Sequence, residues 1–343
     1  MAEKARRNNV IFRPHFKTHQ SHEIGSWFRD EGVECITTSS ISMAHYFAGD
    51  GWTDITVAFP ANVLEIDKIN ELAKSITLNL VVESKDTVIA LSKALTEPIN
   101  LLVKLDIGYH RTGVAPDHVE EIAGIMDEID RCALTTLRGF LGHAGHSYAA
   151  ENVDEIARIH VESIDLMNQV KTYFTKRYAD LLITVGDTPT CSVMEDFTEV
   201  DEIRPGNFVF YDLTQRQIGS CTLEQITIAV ACPVVAIHAD RNEIIIYGGG
   251  VHFSKELLNH PKHGTIFGLV AEDDGERWGA LVEDVYLARI SQEHGTVHAP
   301  SAYLDKIQIG DIVKILPVHS CMTADLHSVY LTTDGTEISR ITH

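Results

Sequence analysis

The sequence predicts an α/β protein, in which a parallel (β/α)8 TIM barrel is followed by a C-terminal, mostly β domain. Eight short runs rich in β-branched residues alternate with amphipathic stretches over the first 214 residues, a pattern typical of a parallel sheet with helices outside it. After that point the chain is strand-rich, with polar breaks and little helical periodicity. We therefore expect the barrel to comprise residues 1–214 and the β-rich domain residues 215–343.

The barrel prediction depends on individual elements. The predicted strands are residues 10–16, 33–39, 54–60, 78–84, 100–106, 137–144, 181–187 and 202–211. The predicted helices between them are residues 22–31, 42–50, 65–74, 86–95, 118–129 and 153–177. An open, doubly wound sheet is the alternative, but no glycine-rich dinucleotide-binding turn follows the first strand.

Composition limits the partners and the compartment. Across 343 residues, 28 basic and 49 acidic side chains give a formal charge of −21, which disfavours nucleic acid and anionic membranes as partners. No apolar run approaches the about 18 residues that a membrane-spanning helix needs, and the basic start lacks the apolar region of a secretory signal. The six cysteines are scattered without a C-x-x-C pair. We expect a cytoplasmic protein.

The densest group of reactive side chains is RPHFKTH at residues 13–19, at the end of the first predicted strand. Active sites of barrel enzymes form at the carboxyl ends of the strands, so Lys17 lies where a catalytic group is expected. Its neighbours Arg13, His15 and His19 are cationic or can become so. Nearby positive charge favours the neutral amine, which is the form that attacks an aldehyde. A solvated basic loop is the alternative interpretation, and composition does not separate the two.

Other predicted strand ends carry polar groups suited to a cofactor. GYHRTG includes Arg111 and follows the fifth strand, and GHAGHSY includes Tyr148 and follows the sixth. GDTPT contains Thr188 after the seventh strand, and RPGN (204–207) closes the eighth. Loops after the seventh and eighth strands of this fold commonly bind phosphate through backbone N–H groups and small hydroxyls. Each segment alone is a weak signal, and their recurrence at successive strand ends favours a single site.

The β-rich domain contains VKILPVHSCMT, which places His319 and Cys321 two residues apart. In a strand, both side chains would point to the same face and could share a zinc ion. Two ligands do not complete a tetrahedral site, so a third protein group, water or substrate would have to complete it. A half-buried strand with an inert cysteine is the alternative interpretation.

Taken in order, RPHFKTH, GYHRTGV, GHAGHSY, GDTPT, EIRPGNFVFYD, QEHG and PVHSC resemble the D-threonine aldolase / eukaryotic-type D-serine dehydratase family. These are fold-type III pyridoxal-phosphate (PLP) enzymes related to alanine racemase. The resemblance covers nearly the whole chain, and its most specific parts are RPH-x-KTH and H-x-C. It implies a homodimer that acts on a small D-amino acid.

The resemblance also implies a role for particular residues. Lys17 would form the Schiff base with PLP and carry protons at the substrate α-carbon, and His319 and Cys321 would bind a divalent metal that holds the substrate β-hydroxyl. The candidate catalytic residues are Lys17, His15 and Arg111. The candidate cofactor-binding residues are Lys17, Arg111, Tyr148, Thr188, Arg204, Gly206 and Asn207. The metal is expected to be zinc, with manganese or magnesium as alternatives.

The implied reaction is β-elimination from a D-3-hydroxy amino acid, as in D-serine dehydratase, to a 2-oxo acid and ammonia. A D-threonine aldolase, which gives glycine and an aldehyde, is the main alternative. Dehydratases of the family resemble H-x-C and many aldolases H-x-D at the late motif, so Cys321 favours elimination. A racemase, a cofactor-carrying binding protein and a metal-dependent hydrolase are further alternatives. The hydrolase would use several of the 18 histidines, namely His15, His19, His143, His146 and His319.

This chain departs from the family in three places. Members usually begin with an extra strand before the first helix, which is missing here and normally joins the β domain. The segment GGGVHFSKE stands where many members have an Asp-Ala-Gly type segment, so it bears on the identity of the substrate. KTHQ replaces the commoner KTHK, which we expect to be a minor change.

Overall fold

The computed structural model describes residues 1–275 and 277–342. The chain divides into two compact units, Met1–Gly206 and Asn207–His343. The division falls eight residues before the boundary expected after residue 214. Within the described residues, no helix is both long enough and apolar enough to cross a membrane.

The first unit contains the predicted eight-stranded parallel sheet, with its strands in consecutive order and the first strand paired with the eighth. An isolated parallel bridge between His15 and Thr37 joins the remaining edge, where the Phe16 N–H donates to the Thr37 carbonyl at 2.8 Å. The (β/α)8 prediction is confirmed. The strands are β1 (Ile11–Phe12), β2 (Ile36–Thr38), β3 (Asp54–Pro60), β4 (Thr77–Val82), β5 (Ile99–Lys104), β6 (Thr135–Leu141), β7 (Leu182–Val185) and β8 (Glu202–Ile203).

Helices alternate with these strands, and several begin at a side chain that caps the first turn. Ser21, Ser40, Ser84, Asn152 and Asp187 each accept a hydrogen bond from a backbone N–H two or three residues inside the helix, which satisfies groups the helix itself leaves unpaired. The helices are α1 (Ala2–Asn8), α2 (His22–Asp30), α3 (Ile41–Gly49), α4 (Ile66–Ala73), α5 (Lys85–Ala94), α6 (Val119–Arg131), α7 (Val153–Phe174) and α8 (Thr188–Val193).

The predicted eighth strand over residues 202–211 is too long. Only Glu202–Ile203 pairs in the sheet, and Asn207–Val209 forms a 3₁₀ turn. Pro205 has no N–H to donate to a neighbouring strand, and Tyr211 has a positive φ of 49°. The chain therefore leaves the sheet at Arg204, which places this side chain at the carboxyl end of the strand.

The second unit is built around a closed barrel of antiparallel strands, in agreement with the mostly β domain expected from the sequence. Within residues 207–275 and 277–342, six strands close in the order β10-β15-β14-β13-β16-β9 around a core of aliphatic side chains. The strands are β9 (Val230–His238), β10 (Glu243–Tyr247), β11 (Leu258–His260), β12 (Gly264–Ile266), β13 (Gly268–Asp273), β14 (Trp278–Ile290), β15 (His294–His298), β16 (Ile312–Pro317), β17 (Val329–Leu331) and β18 (Glu337–Ser339). The helices are α9 (Leu213–Gln217), α10 (Gly250–Phe253), α11 (Ser301–Leu304) and α12 (Ser320–Asp325).

Candidate functional site

The segment after β1 is held by an aromatic anchor. Phe16 is fully buried, with its ring centroid 5.0, 4.9 and 5.1 Å from those of Phe28, Phe47 and Trp52. Burial of this ring fixes the backbone on both sides of it. Lys17 is consequently exposed at the carboxyl end of the strand, where the sequence predicted a reactive amine.

The structure corrects the expected charge of the neighbours of Lys17. Burial lowers the pKa of His19 to about 3. Burial, together with the charges of Lys17 and Arg204, holds the pKa of His15 well below its usual value. Arg13 is paired with Glu202 at 2.6 Å and Asp54 at 2.7 Å. Both histidines are therefore neutral at pH 7, and Arg13 is compensated by carboxylates.

Other residues supply the positive charge, and one of them was missed from sequence. Lys104, at the end of β5, is buried, and this burial and the charges of Arg204 and Arg111 lower its pKa to about 7. The only sequence signal was a lysine that ends an apolar strand two residues before Asp106. Arg111 itself is exposed and lies over the Tyr109 ring, 4.9 Å from its centroid.

His143, in the loop after β6, is a second residue with a defined role in this cluster. Burial, followed by the charge of Lys104, holds the pKa of His143 well below its usual value. Its Nδ1 is hydrogen-bonded to the carbonyl of Gly186. A carbonyl only accepts, so Nδ1 carries the proton and Nε2 is left as an acceptor.

Arg204 is held firmly at the end of β8. Its Nε donates to the Thr184 hydroxyl at 2.6 Å and its Nη2 to the Gly142 carbonyl at 2.6 Å. The side chain is 3% exposed. Gly186 makes this position possible, because a Cβ there would lie 2.7 Å from the Cβ of Arg204.

The predicted phosphate-binding residues of the first unit lie beside these groups. The Thr188 N–H donates to the Tyr148 hydroxyl at 3.1 Å. The hydroxyl of Thr188 is buried and has no hydrogen-bond partner among residues 1–275 and 277–342. A Cβ on Gly206 would lie 2.7 Å from the His15 carbonyl oxygen. A buried hydroxyl without a partner, two residues after the glycine that packs against Arg204, fits an anionic group such as the phosphate of PLP.

His319 and Cys321 are brought together in the second unit, although not as members of a strand. β16 ends at Pro317, and His319 is the N-cap of α12. Burial lowers the pKa of His319, but a hydrogen bond to Cys321 and the charges of Cys321, Asp212 and Glu256 outweigh it and raise the pKa to about 9. An imidazole and a thiol in hydrogen-bond contact have the donor types and the spacing for one zinc ion.

Asn207, predicted to bind phosphate, has its side chain next to this pair. Its Nδ2 donates to Asp212 Oδ2 and Ser320 Oγ, both at 2.8 Å, and to Cys321 Sγ at 3.5 Å. No local sequence pattern indicates this arrangement, because it joins Asn207 to residues more than 100 positions later. In the described ranges, no group of three or more His, Cys, Asp or Glu side chains is placed to hold a metal.

Two family models match the chain. "Alanine racemase, N-terminal domain" matches residues 1–213, and "Putative serine dehydratase domain" matches residues 227–333. The D-serine dehydratase of Dictyostelium discoideum is 28% identical, and the match covers 96% of this chain and 88% of that protein.

Several solved structures of related proteins also superpose on this chain. The D-threo-3-hydroxyaspartate dehydratase of Delftia sp. HT23 superposes with a TM-score of 0.91 at 26% identity, covering 99% of this chain and 93% of that one. It has also been solved as a histidine-to-alanine mutant and, two positions further along, as a cysteine-to-alanine mutant in a metal-free form. The D-threonine aldolase of Filomicrobium marinum has a TM-score of 0.82 at 19% identity, covering 99% of this chain and 90% of that one, which shows the fold alone. This chain belongs to the alanine racemase-like, fold-type III family, whose members depend on PLP.

Proposed function

We propose that this protein is a PLP- and divalent-metal-dependent lyase of D-3-hydroxy amino acids, with β-elimination to a 2-oxo acid and ammonia as its main reaction. The observation that carries the proposal is the contact between His319 and Cys321 in the second unit. The first unit of the same chain is a barrel of the family with a group of cationic side chains. The similarity to proteins named dehydratases supports it.

Residues of the first unit would hold the cofactor. Lys17 would bind it covalently, and the buried hydroxyl of Thr188 and the backbone at Gly206 would hold its phosphate. The remaining proposed contacts come from Arg204, Tyr148 and Arg111. When bound, PLP supplies an electron sink that lowers the barrier to loss of the α-proton.

Different side chains of the first unit would have different roles in the reaction. The Lys17 amine, exposed at the end of the strand, accepts the α-proton. Arg111 and Lys104 attract the substrate carboxylate by their charge. His15 and His143 stay neutral beside these cations, which avoids further positive charge near the amine.

His319 and Cys321 would hold the metal, whose Lewis acidity would assist departure of the β-hydroxyl as water. The enamine released by elimination takes up one water and loses ammonia, so D-serine gives a 2-oxo acid and ammonia without net gain or loss of water. Zinc is the proposed ion because thiolate and imidazole both suit it, and manganese or magnesium prefer oxygen ligands.

An aldolase is the second candidate, because it uses the same kinds of groups and the D-threonine aldolase neighbour shares the fold. Cys321 in place of aspartate favours the dehydratase. From the resemblance we also infer a homodimer in the cytoplasm, which light scattering of the purified protein and localisation of a tagged copy would test.

The test compares products and the modified lysine. We expect D-serine to give a 2-oxo acid and D-threonine to give no glycine, and borohydride to fix a pyridoxyl group on Lys17, detected by peptide mass spectrometry. Lys17→Ala should lower turnover at least about a thousandfold. Lys93→Ala, on the exposed face of α5, is the matched control and should keep wild-type turnover.

Glycine from D-threonine without oxo acid from D-serine would replace the dehydratase by the aldolase. Failure of the wild-type protein to take up PLP at all would remove both.

A further inference from the structure

A continuous chain of polar side chains, buried except at its partly exposed end Asp54, leads through the parallel barrel to Arg204. The Arg204 Nε donates to the Thr184 hydroxyl at 2.6 Å, and this hydroxyl donates to Glu202 Oε1 at 2.7 Å. The second oxygen of Glu202 accepts from the Arg13 Nε at 2.6 Å. Arg13 continues to Asp54 at 2.7 Å. The chain thus connects residues of β3, β7 and β8 and the segment after β1.

Every link in this chain has a fixed direction. Arginine only donates and an ionised carboxylate only accepts, so the single proton of the Thr184 hydroxyl points to Glu202 and its lone pair to Arg204. Thr184 is 1% exposed and Glu202 3%, so water does not compete for these bonds. The two arginines and the two carboxylates balance in charge.

Stability alone is a weak explanation for this chain. Barrel interiors of this fold are commonly filled by branched aliphatic residues. A buried ion pair is often no more stabilising than well-packed apolar side chains of similar volume, because both charges lose their hydration. A polar chain in this position is better explained by what it does to the group at its end.

The group at the end of the chain is the guanidinium of Arg204, whose hydrogen bonds are all on one edge. The Nε and Nη2 of Arg204 are bound to Thr184 and Gly142. Across residues 1–275 and 277–342, no hydrogen bond is made by its Nη1. The carbonyl and hydroxyl acceptors therefore set the plane of the guanidinium and leave one nitrogen available.

We propose that Thr184 and Glu202 are positioning residues that orient Arg204 toward the bound cofactor. The inference rests on the proposed function, in which Arg204 contacts PLP. Glu202 orients the Thr184 hydroxyl, and the hydroxyl orients the guanidinium, so cofactor affinity and the electronic state of the cofactor depend on residues that do not touch it.

The experiment removes one hydroxyl and restores it. Thr184→Val keeps the shape of the side chain but removes the acceptor of Arg204, and Thr184→Ser returns it. Thr56→Val is the matched control, because Thr56 is a buried barrel threonine on β3 with no hydrogen bond to Arg13, Glu202 or Arg204. Each protein is titrated with PLP, followed by its visible absorption band, and the bound form is then titrated with pH.

We expect Thr184→Val to weaken PLP binding about tenfold, the scale of one charge-assisted hydrogen bond. The pH midpoint of the visible band should rise. A nearby cation disfavours protonation of the cofactor, and in this variant Arg204 is no longer held close to it. Thr184→Ser should restore both values, and Thr56→Val should match wild type. Glu202→Gln should shift the pH midpoint of the band in the same direction. If the Glu202→Gln variant does not fold, Thr184→Val still tests the proposal.

Wild-type affinity and midpoint in Thr184→Val would overturn the positioning role, as would a serine variant that restores neither. If the wild-type protein itself develops no visible band with PLP, the proposed function fails, and the positioning role fails with it.

Discussion

The two units of this protein present reactive groups in different ways. In the parallel barrel, the candidate residues follow several different strands, and a buried chain of polar side chains fixes one of them. In the antiparallel barrel, His319 and Cys321 lie on one short turn between β16 and α12. One site is thus fixed by many strands and the other by a local turn.

The carboxylate of Asp212 makes several of the hydrogen bonds that support the local turn. Asp212 Oδ2 accepts from the Ser320 N–H at 3.0 Å and from the Asn207 side chain at 2.8 Å. Asp212 also caps α9 through the Gln215 N–H at 2.9 Å. A site that depends on one carboxylate should respond more sharply to a single substitution than a site shared among strands.

Within the second unit, the largest expected effect is that of Cys321→Ala. Loss of one of the two proposed protein ligands should remove the bound metal and lower turnover of D-serine about a hundredfold or more, whereas the visible absorption of the cofactor should stay. Metal content by mass spectrometry and the absorption spectrum of the same sample measure the two responses. Cys132→Ala, a half-buried cysteine of the other unit, is the control. A parallel loss of metal and of the visible band would contradict the separate roles of the units.

A smaller effect is expected for Asp212→Asn. The amide cannot accept from the Ser320 and Asn207 donors as the carboxylate does, so the turn loosens while both ligands remain. Metal affinity should fall about ten- to a hundredfold, and added zinc should recover much of the activity. Metal titration of the apoprotein measures this, with Asp273→Asn as a control because Asp273 is an exposed carboxylate paired with Lys314. Unchanged metal affinity would show that the turn does not depend on Asp212.

Much of the barrel could be predicted from the sequence because the patterns that indicate its strands and helices are local. Each β-branched run and each amphipathic stretch reports its own conformation, and strand ends in a parallel barrel meet at one rim. The predicted positions of Lys17 and Arg204 at strand ends depend only on those facts. The error at residues 202–211 is also local, since Pro205 marked the end of the strand.

What the sequence could not show depends on contacts distant along the chain. Arg13 was expected to be a free cation beside Lys17, but Glu202, 189 residues away, compensates it. His319 and Cys321 were expected in a strand because VKILPV continues the apolar pattern. The turn that holds them instead is fixed by Asp212, 108 residues before Ser320. No local pattern predicts such pairs.

The smallest expected effect is on the pH dependence of the free energy of unfolding. We expect contributions of opposite sign from the two units. Burial lowers the pKa of His19 to about 3 in the folded barrel, while an unfolded histidine titrates near about 6.5. Between these values the unfolded chain binds the extra proton, so stability falls as pH falls, by up to about 1.4 kcal/mol per pH unit. The pKa of His319 is raised to about 9. Its contribution in the metal-free protein is therefore complete below about pH 6.5 and is lost as pH rises toward 9.

His19→Gln removes the first of these titrations. Its urea midpoint should decline less between pH 7 and pH 5 than that of wild type, whereas His118→Gln, an exposed histidine at the start of α6, should keep the wild-type decline. Tryptophan fluorescence is a suitable probe, because Trp52 packs against Phe16, whose ring in turn lies 4.5 Å from that of His19. An equal decline in all three proteins would mean that His19 is protonated in the folded barrel, and the contrast in pH response between the two units would then be lost.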